Sequence, residues 1–294
     1  MNTVIQFIHP GLEHTSKTGT IWNSGPHRRK YLKVKGDFLK NLDSNPQNDS
    51  LYFWGEWEAQ SEAYPINNNE PDFPKTIFSP HYNLPIGNVN TDPFIFGNQF
   101  YYSFCRQPNS PLLRNLIAGD IILFGSCINH EFALDTLFVV SNEMRKYKLL
   151  DTPRLKKEFS KTFFDVTLSP LKSISCKQDN SCINEKHNLE KICLTPKQTT
   201  QYKNDFKIYN GVMYYEKKKY SNIFSYSPCL TGDKGESGFK RPIININKII
   251  TPNLSQHFKK TEKQDTLNIW NQITEKVLQE GFSLLINTDL PTIK

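Results

Sequence analysis

Two apolar segments near the middle of the chain constrain its fold more than any other feature. Residues 120–126 (Asp-Ile-Ile-Leu-Phe-Gly-Ser) and 132–140 (Phe-Ala-Leu-Asp-Thr-Leu-Phe-Val-Val) are rich in β-branched and aromatic side chains, and a short loop joins them. This pattern predicts two adjacent strands in the core. Asp135 interrupts the second strand. Because a buried charge without a partner is costly, we expect Asp135 to face a cavity or a hydrogen-bond partner.

The rest of the chain has mostly strand patterns, with a few helices in no repeating order. This arrangement predicts an α+β fold, with a central mixed β-sheet or a small barrel and a few flanking helices. The clearest helix covers residues 265–279, where apolar side chains follow the helical period and Gly281 supplies the stop. The other expected elements are strands at residues 3–8, 51–58, 243–250 and 282–286, an amphipathic, helix-like segment at residues 28–39, helices at residues 112–118 and 154–163, a hairpin at Asn210-Gly211, and loops at residues 59–90 and 232–238.

The net charge of +7 is unevenly distributed over the 294 residues. Residues 1–150 hold 13 of the 36 Lys and Arg and 14 of the 29 Asp and Glu, which leaves 23 basic and 15 acidic residues for the second half. This positive charge favours a polyanionic partner. No obligate protein partner is inferred.

We expect a cytoplasmic protein with reduced thiols and no membrane association. Met1 leads straight into a strand without a secretory leader, and no apolar run approaches the roughly 18 residues of a membrane span. Cys176, Cys182, His187 and Cys193 are separated by five, four and five residues, without the tight pair typical of structural zinc sites, so we predict no metal. Residues 232–238 lack the ending of a phosphate-binding P-loop, so no nucleotide cofactor is expected.

The loop after the first strand is predicted to bind an anion. The strand ends at His9, and the loop that follows contains Trp22 and a Gly-Pro-His turn at residues 25–27. Free backbone N–H groups at the start of the next segment, together with adjacent guanidinium groups, suit a phosphate. A solvated basic face is the alternative. The residues predicted to contact nucleic acid here are His27, Arg28, Arg29 and Lys30.

Residues 51–58 bring two carboxylates next to two tryptophans. Glu56 and Glu58 fall on one face of a regular strand, beside Trp54 and Trp57. An acid pair in an apolar wall has a raised carboxyl pKa and suits acid–base chemistry. Alternatively, one of the two glutamates pairs with Arg28 or Arg29 as part of the scaffold.

A third group of candidate residues surrounds Asp92, which precedes a proline. It combines a fixed polar group with flat apolar surfaces, which is what a pocket for a nucleobase requires. In the alternative interpretation, Asp92 caps its own turn and the aromatic residues fill the core. The residues predicted to contact a base are Trp22, Trp54, Asn90, Phe94, Tyr101 and Tyr102, and Arg106 is a further candidate for nucleic-acid contact.

Five sequence blocks carry a resemblance to a known family: His9-Pro10-Gly11, Trp22-Asn23-x-Gly25-Pro26-His27-Arg28-Arg29-Lys30, Phe53-Trp54-Gly55-Glu56-Trp57-Glu58, Asn90 to Gly97 and Gly119 to Ser126. Together they resemble an uncharacterised bacterial family that is associated with nucleotide modification and phage defence and includes DNA glycosylases. Asp92-Pro93-Phe94 and His9-Pro10-Gly11 also resemble the Asp and His motifs of uracil-DNA glycosylases, although the order of the two motifs is reversed.

The resemblance implies a DNA glycosylase that excises a modified base from phage DNA. Residues 1–150 would form the base-recognition and catalytic core, and residues 151–294 a lysine-rich extension whose C-terminal helix and strand pack on that core in one compact domain. Asp92 or Glu56 would be the carboxylate, with Asp135 as a further candidate, and His9 would be the donor to the base. The alternatives are a non-catalytic reader of modified bases and an enzyme that acts on a free modified nucleotide.

Overall fold

The computed structural model describes most of the chain. The described residues are 2–9, 13, 29–68, 70, 72–84, 90–107, 110–147, 152–171, 206–244, 256–261 and 263–294. The strands are β1 (Asn2–His9), β2 (Lys30–Leu39), β3 (Gln47–Gly55), β4 (Ser61–Pro65), β5 (Thr76–Tyr82), β6 (Tyr101–Tyr102), β7 (Ile121–Ile128), β8 (Glu131–Tyr147), β9 (Phe206–Gly211), β10 (Ser227–Thr231), β11 (Ile243–Ile244), β12 (Gln256–Thr261), β13 (Ser283–Thr288) and β14 (Thr292–Ile293). The helices are α1 (Thr152–Glu158), α2 (Lys161–Phe163), which continues as a π-helix at Phe164–Leu168, a 3₁₀ helix at Tyr214–Tyr220, α3 (Gly232–Glu236) and α4 (Lys263–Gln279).

The first sheet contains the strand pair predicted from residues 120–140. Its strands follow the order β12-β1-β7-β8-β9-β6, and β11 pairs with β8. β7 and β8 are antiparallel, as expected for two strands joined by a short loop, whereas β1 and β7 are parallel. The parallel register runs from Val4 beside Ile121 to His9 beside Ser126. β1 and β7 lie inside the sheet, which explains their apolar side chains on both faces.

The second sheet closes into a small barrel. β2, β3, β10 and β13 pair in that order, and β13 also pairs with β2, so four strands form a closed ring. Closure brings the backbones close together, because a Cβ atom at Gly36 would lie 2.2 Å from the carbonyl oxygen of Asn287. β5, β4 and β14 extend the sheet beyond the ring. Mixed sheets, a small barrel and few helices confirm the predicted α+β fold.

The helix predicted at residues 265–279 is confirmed as α4. Trp270, Ile273 and Val277 are buried at helical spacing, and Trp270 Nε1 donates a hydrogen bond to the carbonyl oxygen of Phe224 at 2.9 Å. Strands from the second half of the chain also lie within both sheets. The strands β9 to β14 therefore belong to the same two sheets as the strands from the first half of the chain.

Several local predictions were wrong because pairing between distant strands overrides local patterns. Residues 30–39 form β2 between β3 and β13, instead of an amphipathic helix. Residues 59–90 contain β4 and β5 rather than one long loop. Asn210 and Gly211 end β9, where Asn210 pairs with Tyr101, so they do not turn a hairpin. Residues 112–118 form turns, and the glycine-rich segment at 232–236 forms α3. Of the strand expected at residues 243–250, the described part is β11.

Candidate functional site

The strongest cluster of ionisable side chains lies where the two sheets meet. His9 is the last residue of β1, Arg29 immediately precedes β2, and Glu56 immediately follows β3. Asp135 lies in β8, which contacts β3 of the other sheet. Each of these side chains is therefore positioned by the end or the middle of a strand, which gives the cluster a rigid frame.

A buried chain of ion pairs forms the centre of the cluster. Arg29 Nη1 lies 2.5 Å from Glu56 Oε2, and Arg29 Nε lies 3.0 Å from Asp135 Oδ2. Arg241 Nη1 lies 3.9 Å from Asp135 Oδ1, and the Arg241 guanidinium group packs over the Trp54 ring at 4.4 Å. Burial lowers the pKa of Arg29, but Glu56 and Asp135 raise it further, so the net pKa lies above its usual value. Arg29 therefore carries a permanent charge between two carboxylates.

Asp135 reaches this position through a β-bulge. In the register of β7 and β8, Gly125 pairs with Leu134 and Phe124 pairs with Thr136, so Asp135 is the extra residue on β8. A bulge re-aims one side chain without ending the strand. A Cβ atom at Gly125 would lie 2.1 Å from the carbonyl oxygen of Ala133, so the bulge requires glycine there. Burial raises the pKa of Asp135, and the nearby Arg241 and Arg29 offset part of that effect.

His9 connects the ion-pair chain to a thiol. Its Nε2 atom lies 4.0 Å from Glu56 Oε2 and 3.6 Å from Cys105 Sγ. In a nucleophile–histidine–acid triad, the acid holds the other ring nitrogen, so this geometry differs from a triad. Burial, reinforced by Glu56 and Asp92, raises the pKa of Cys105 well above its usual value. Cys105 is therefore a protonated thiol and a poor nucleophile, because the thiolate is the reactive form.

Asp92 anchors the turn that carries Cys105. Its Oδ1 atom accepts a hydrogen bond from Ser103 N at 2.9 Å, and Oδ2 accepts from Phe104 N and Cys105 N, each at 2.6 Å. The residue has no exposed surface. Burial outweighs these hydrogen bonds and raises the pKa of Asp92 to about 6. Asp92 therefore holds this turn in place, and its role as the first-choice catalytic carboxylate stays a prediction.

Arg106 is the exposed cation beside the cluster. It occupies the left-handed backbone region with φ of 59°, and its guanidinium group packs over the Phe7 ring at 5.4 Å. The Phe7 ring in turn lies 4.6 Å from the His9 ring. The Asp92-anchored turn thus places an exposed positive charge close to the Phe7 and His9 rings. The contact of Arg106 with nucleic acid stays a prediction.

Arg29 and Lys30 are not available as a phosphate clamp, which corrects that prediction. Both side chains are 1% exposed. Arg29 pairs with Glu56, as the alternative interpretation of residues 51–58 held. Lys30 Nζ donates hydrogen bonds to Ala59 O and Ser61 Oγ, and burial lowers its pKa well below the usual value, against the opposing effect of Glu58. Trp22, His27 and Arg28 lie outside the described residues, as do Cys176, Cys182, His187 and Cys193.

The aromatic residues predicted to contact a base mostly fill the core. Trp54 is 4% exposed and its Nε1 atom donates to Phe239 O, while Phe94 and Tyr102 are fully buried. Tyr101 is half-buried and stacks on Phe163 with ring centroids 4.5 Å apart. Among these residues, Asn90 is partly accessible, and its backbone N–H donates to Glu58 Oε2 at 2.5 Å. The alternative interpretation, in which the aromatic residues form core, is therefore correct for Trp54, Phe94 and Tyr102.

Three residues of the site were not found from the sequence. No role was predicted for Cys105, and Arg241 lies in a polar segment far along the chain. Ser126 pairs with His9 across β1 and β7, and its buried Oγ atom has no hydrogen-bond partner within the described part of the chain. Of the three, only Ser126 had a signal in the sequence. It is the polar residue at the end of the apolar segment 120–126, which forms the strand next to β1.

No family model, curated protein or solved structure matches this chain. None of the helices formed by the described residues is long and apolar enough to cross a membrane. Within the same residues, no three His, Cys, Asp or Glu side chains are arranged to hold a metal ion. The geometry of the cluster is therefore the basis on which function must be argued.

Proposed function

We propose that this protein is a DNA-acting hydrolase that cleaves the N-glycosidic bond of a modified base. The observation that carries the proposal is the pairing of Glu56 with His9 at 4.0 Å, in a buried frame fixed by Arg29. Ionisable groups held in this way are characteristic of functional sites, because an ordinary core avoids the cost of burying them.

The proposed chemistry uses these two side chains in different ways. Breaking the bond between the sugar C1′ atom and the base nitrogen leaves positive charge on the sugar, and a carboxylate stabilises that charge or removes a proton from the attacking water. Glu56 takes this role. His9 donates a proton or a hydrogen bond to the departing base, and the water oxygen forms the new bond to C1′. Asp92 contributes by holding the turn with Cys105 and Arg106.

The charge of the protein supports DNA as the partner. The formal net charge is +7, and Arg106 offers an exposed guanidinium group beside the site. Guanidinium groups bind phosphates in a planar, bidentate geometry. A free modified nucleotide is a rival substrate, and it needs less positive surface than DNA does. A steep loss of affinity with added salt favours DNA.

A non-catalytic reader of modified bases is the rival class of function. A reader needs a surface for the base and the positive charge but has no use for the Glu56–His9 pair, since base recognition alone needs no catalytic carboxylate. The test is to incubate the protein with DNA that contains normal and hypermodified bases and to assay abasic sites. We expect abasic sites in at least one modified DNA. DNA binding without abasic sites in any substrate would exclude the hydrolase and leave the reader.

A further inference from the structure

A cleft of about 570 Å³ lies at the end of β1 that is opposite His9. β1 has eight residues, and at about 3.3 Å per residue its two ends are roughly 23 Å apart. The cleft is bounded by the start of β1, the Gly119 turn, β8 at Asn142, the end of the 3₁₀ helix and the first turns of α4. Its volume is in the range of small-molecule sites, about 300 to 1,000 Å³.

The cleft has a cationic side chain in its lining. Lys219 is the charged residue among the described lining residues, and its side chain is 71% exposed. Its ammonium group lies 3.5 Å from Glu216 Oε1 within the same helix, an exposed pair that a competing anion can displace. Asp120 accepts a hydrogen bond from the lining residue Asn2, but it is 2% exposed and is held by backbone N–H groups of Thr3 and Ile117. The cleft therefore presents an available cation.

Fixed polar and aromatic groups accompany this charge. Asn142 N donates a hydrogen bond to the Tyr220 hydroxyl oxygen at 2.8 Å, which holds the phenol in place and leaves its own proton available. Ser221 ends the helix in the left-handed region with φ of 57°. Ile223 and Leu267 add apolar surface. An ammonium group, hydroxyl donors and an aromatic ring together suit a phosphate joined to a flat, partly apolar group.

We propose that this cleft binds a phosphate-bearing ligand of nucleotide size. The ligand is a free nucleoside monophosphate or a single nucleotide of a DNA strand, and the two share the same chemistry. Lys219 contacts the phosphate, the Tyr220 ring packs against the base, and Ser221 supplies a hydroxyl group. The site shares no residue with the Glu56–His9 cluster, so the test of this proposal does not depend on whether the protein is a hydrolase.

The test is calorimetric titration of the whole protein with thymidine 5′-monophosphate, thymidine, inorganic phosphate and a short single-stranded DNA. Lys219→Ala is compared with Lys218→Ala, its exposed neighbour on the same helix, which does not line the cleft. Losing one charge-assisted hydrogen bond should weaken monophosphate or strand binding about tenfold or more in Lys219→Ala. Lys218→Ala should change it less than about twofold, as expected for a charge that is screened and makes no contact.

The arms of the titration also identify the source of the phosphate. Binding of the monophosphate assigns the cleft to free nucleotides, whereas binding of the strand without the monophosphate assigns it to DNA. Equal losses for the two lysine variants would show diffuse attraction without a site. Thymidine binding as tightly as its monophosphate, or no binding in any arm, would likewise overturn the proposal. Both lysines are exposed, so both variants are expected to fold.

Discussion

The two ends of β1 present charge in opposite ways. At the His9 end, Arg29, Glu56 and Asp135 are each at most 8% exposed and are joined by ion pairs. At the Asn2 end, Lys219 is 71% exposed and its partner belongs to its own helix. Burying charges costs free energy. It also fixes their geometry in a medium of low dielectric constant, where charges act strongly on a reaction. An exposed lysine attracts a ligand without such order. The contrast suggests chemistry at one end and binding at the other.

The largest expected effect is loss of the central cation. Arg29→Ala leaves Glu56 and Asp135 buried without their shared partner, and breaking a buried pair in this way costs about 3–5 kcal/mol. Urea unfolding measures the free energy of unfolding directly. Lys35→Ala, an exposed position in β2, is the matched control and should change it by less than about 0.5 kcal/mol. If the Arg29→Ala protein were stable but bound DNA more weakly, Arg29 would contact phosphate as the sequence predicted.

The bulge that aims Asp135 gives the next largest effect. Gly125→Ala places a Cβ atom against the Ala133 carbonyl oxygen, so the backbone must shift, at a cost of about 2–3 kcal/mol. The control is Gly281→Ala, where nothing lies within 4 Å of the new atom and the φ of 87° alone is unfavourable, by about 1–2 kcal/mol. Thermal unfolding measures both variants, and the midpoint temperature should fall further for Gly125→Ala than for Gly281→Ala. If Gly281→Ala were the more damaging, the bulge would tolerate a side chain.

The sequence predicted the parts of this contrast that depend on local pattern. The pairing of β7 with β8 follows from two adjacent apolar runs, and α4 follows from its 3.6-residue period. It also predicted His9, Glu56 and Asp135 as polar groups at or within strands. The partnership of Arg29 with Asp135 depends on a bulge and on two sheets meeting, and no local pattern encodes either. For the same reason, β2 was mistaken for an amphipathic helix.

A smaller effect should follow from Asp92. Its pKa is raised to about 6 from 3.8, so the folded state binds the proton more tightly than the unfolded state does. The resulting contribution to stability is lost as pH rises through this range. Asn cannot accept all three backbone N–H groups, so Asp92→Asn is destabilising, and its cost should be larger at pH 5 than at pH 7 by about 1 kcal/mol. Urea unfolding at the two pH values measures this difference. A cost that is larger at pH 7 would mean that ionised Asp92 stabilises the fold.

The smallest effect on stability is expected from Arg106. Arg106→Ala removes an exposed guanidinium group, so the unfolding free energy should change by less than about 0.5 kcal/mol. DNA affinity should fall for all sequences, and the slope of log affinity against log salt should decrease by about one. Arg154→Ala, an exposed arginine paired with Glu158 on α1, is the control and should leave the slope unchanged. Equal slopes for Arg106→Ala and the wild-type protein would show that Arg106 does not contact the DNA phosphates.

The most direct test of the central claim compares Glu56→Gln with Asp135→Asn in a single-turnover assay of abasic-site formation. Both variants remove one of the two carboxylates that flank Arg29, so both perturb the same buried ion pairs. In the proposed mechanism Glu56, and not Asp135, acts on the reacting sugar. At a temperature where both proteins are folded, Glu56→Gln should lower the rate by about 100-fold or more, and Asp135→Asn by far less. A wild-type rate for Glu56→Gln, or equal losses for the two variants, would contradict the assignment of catalysis to the Glu56–His9 pair.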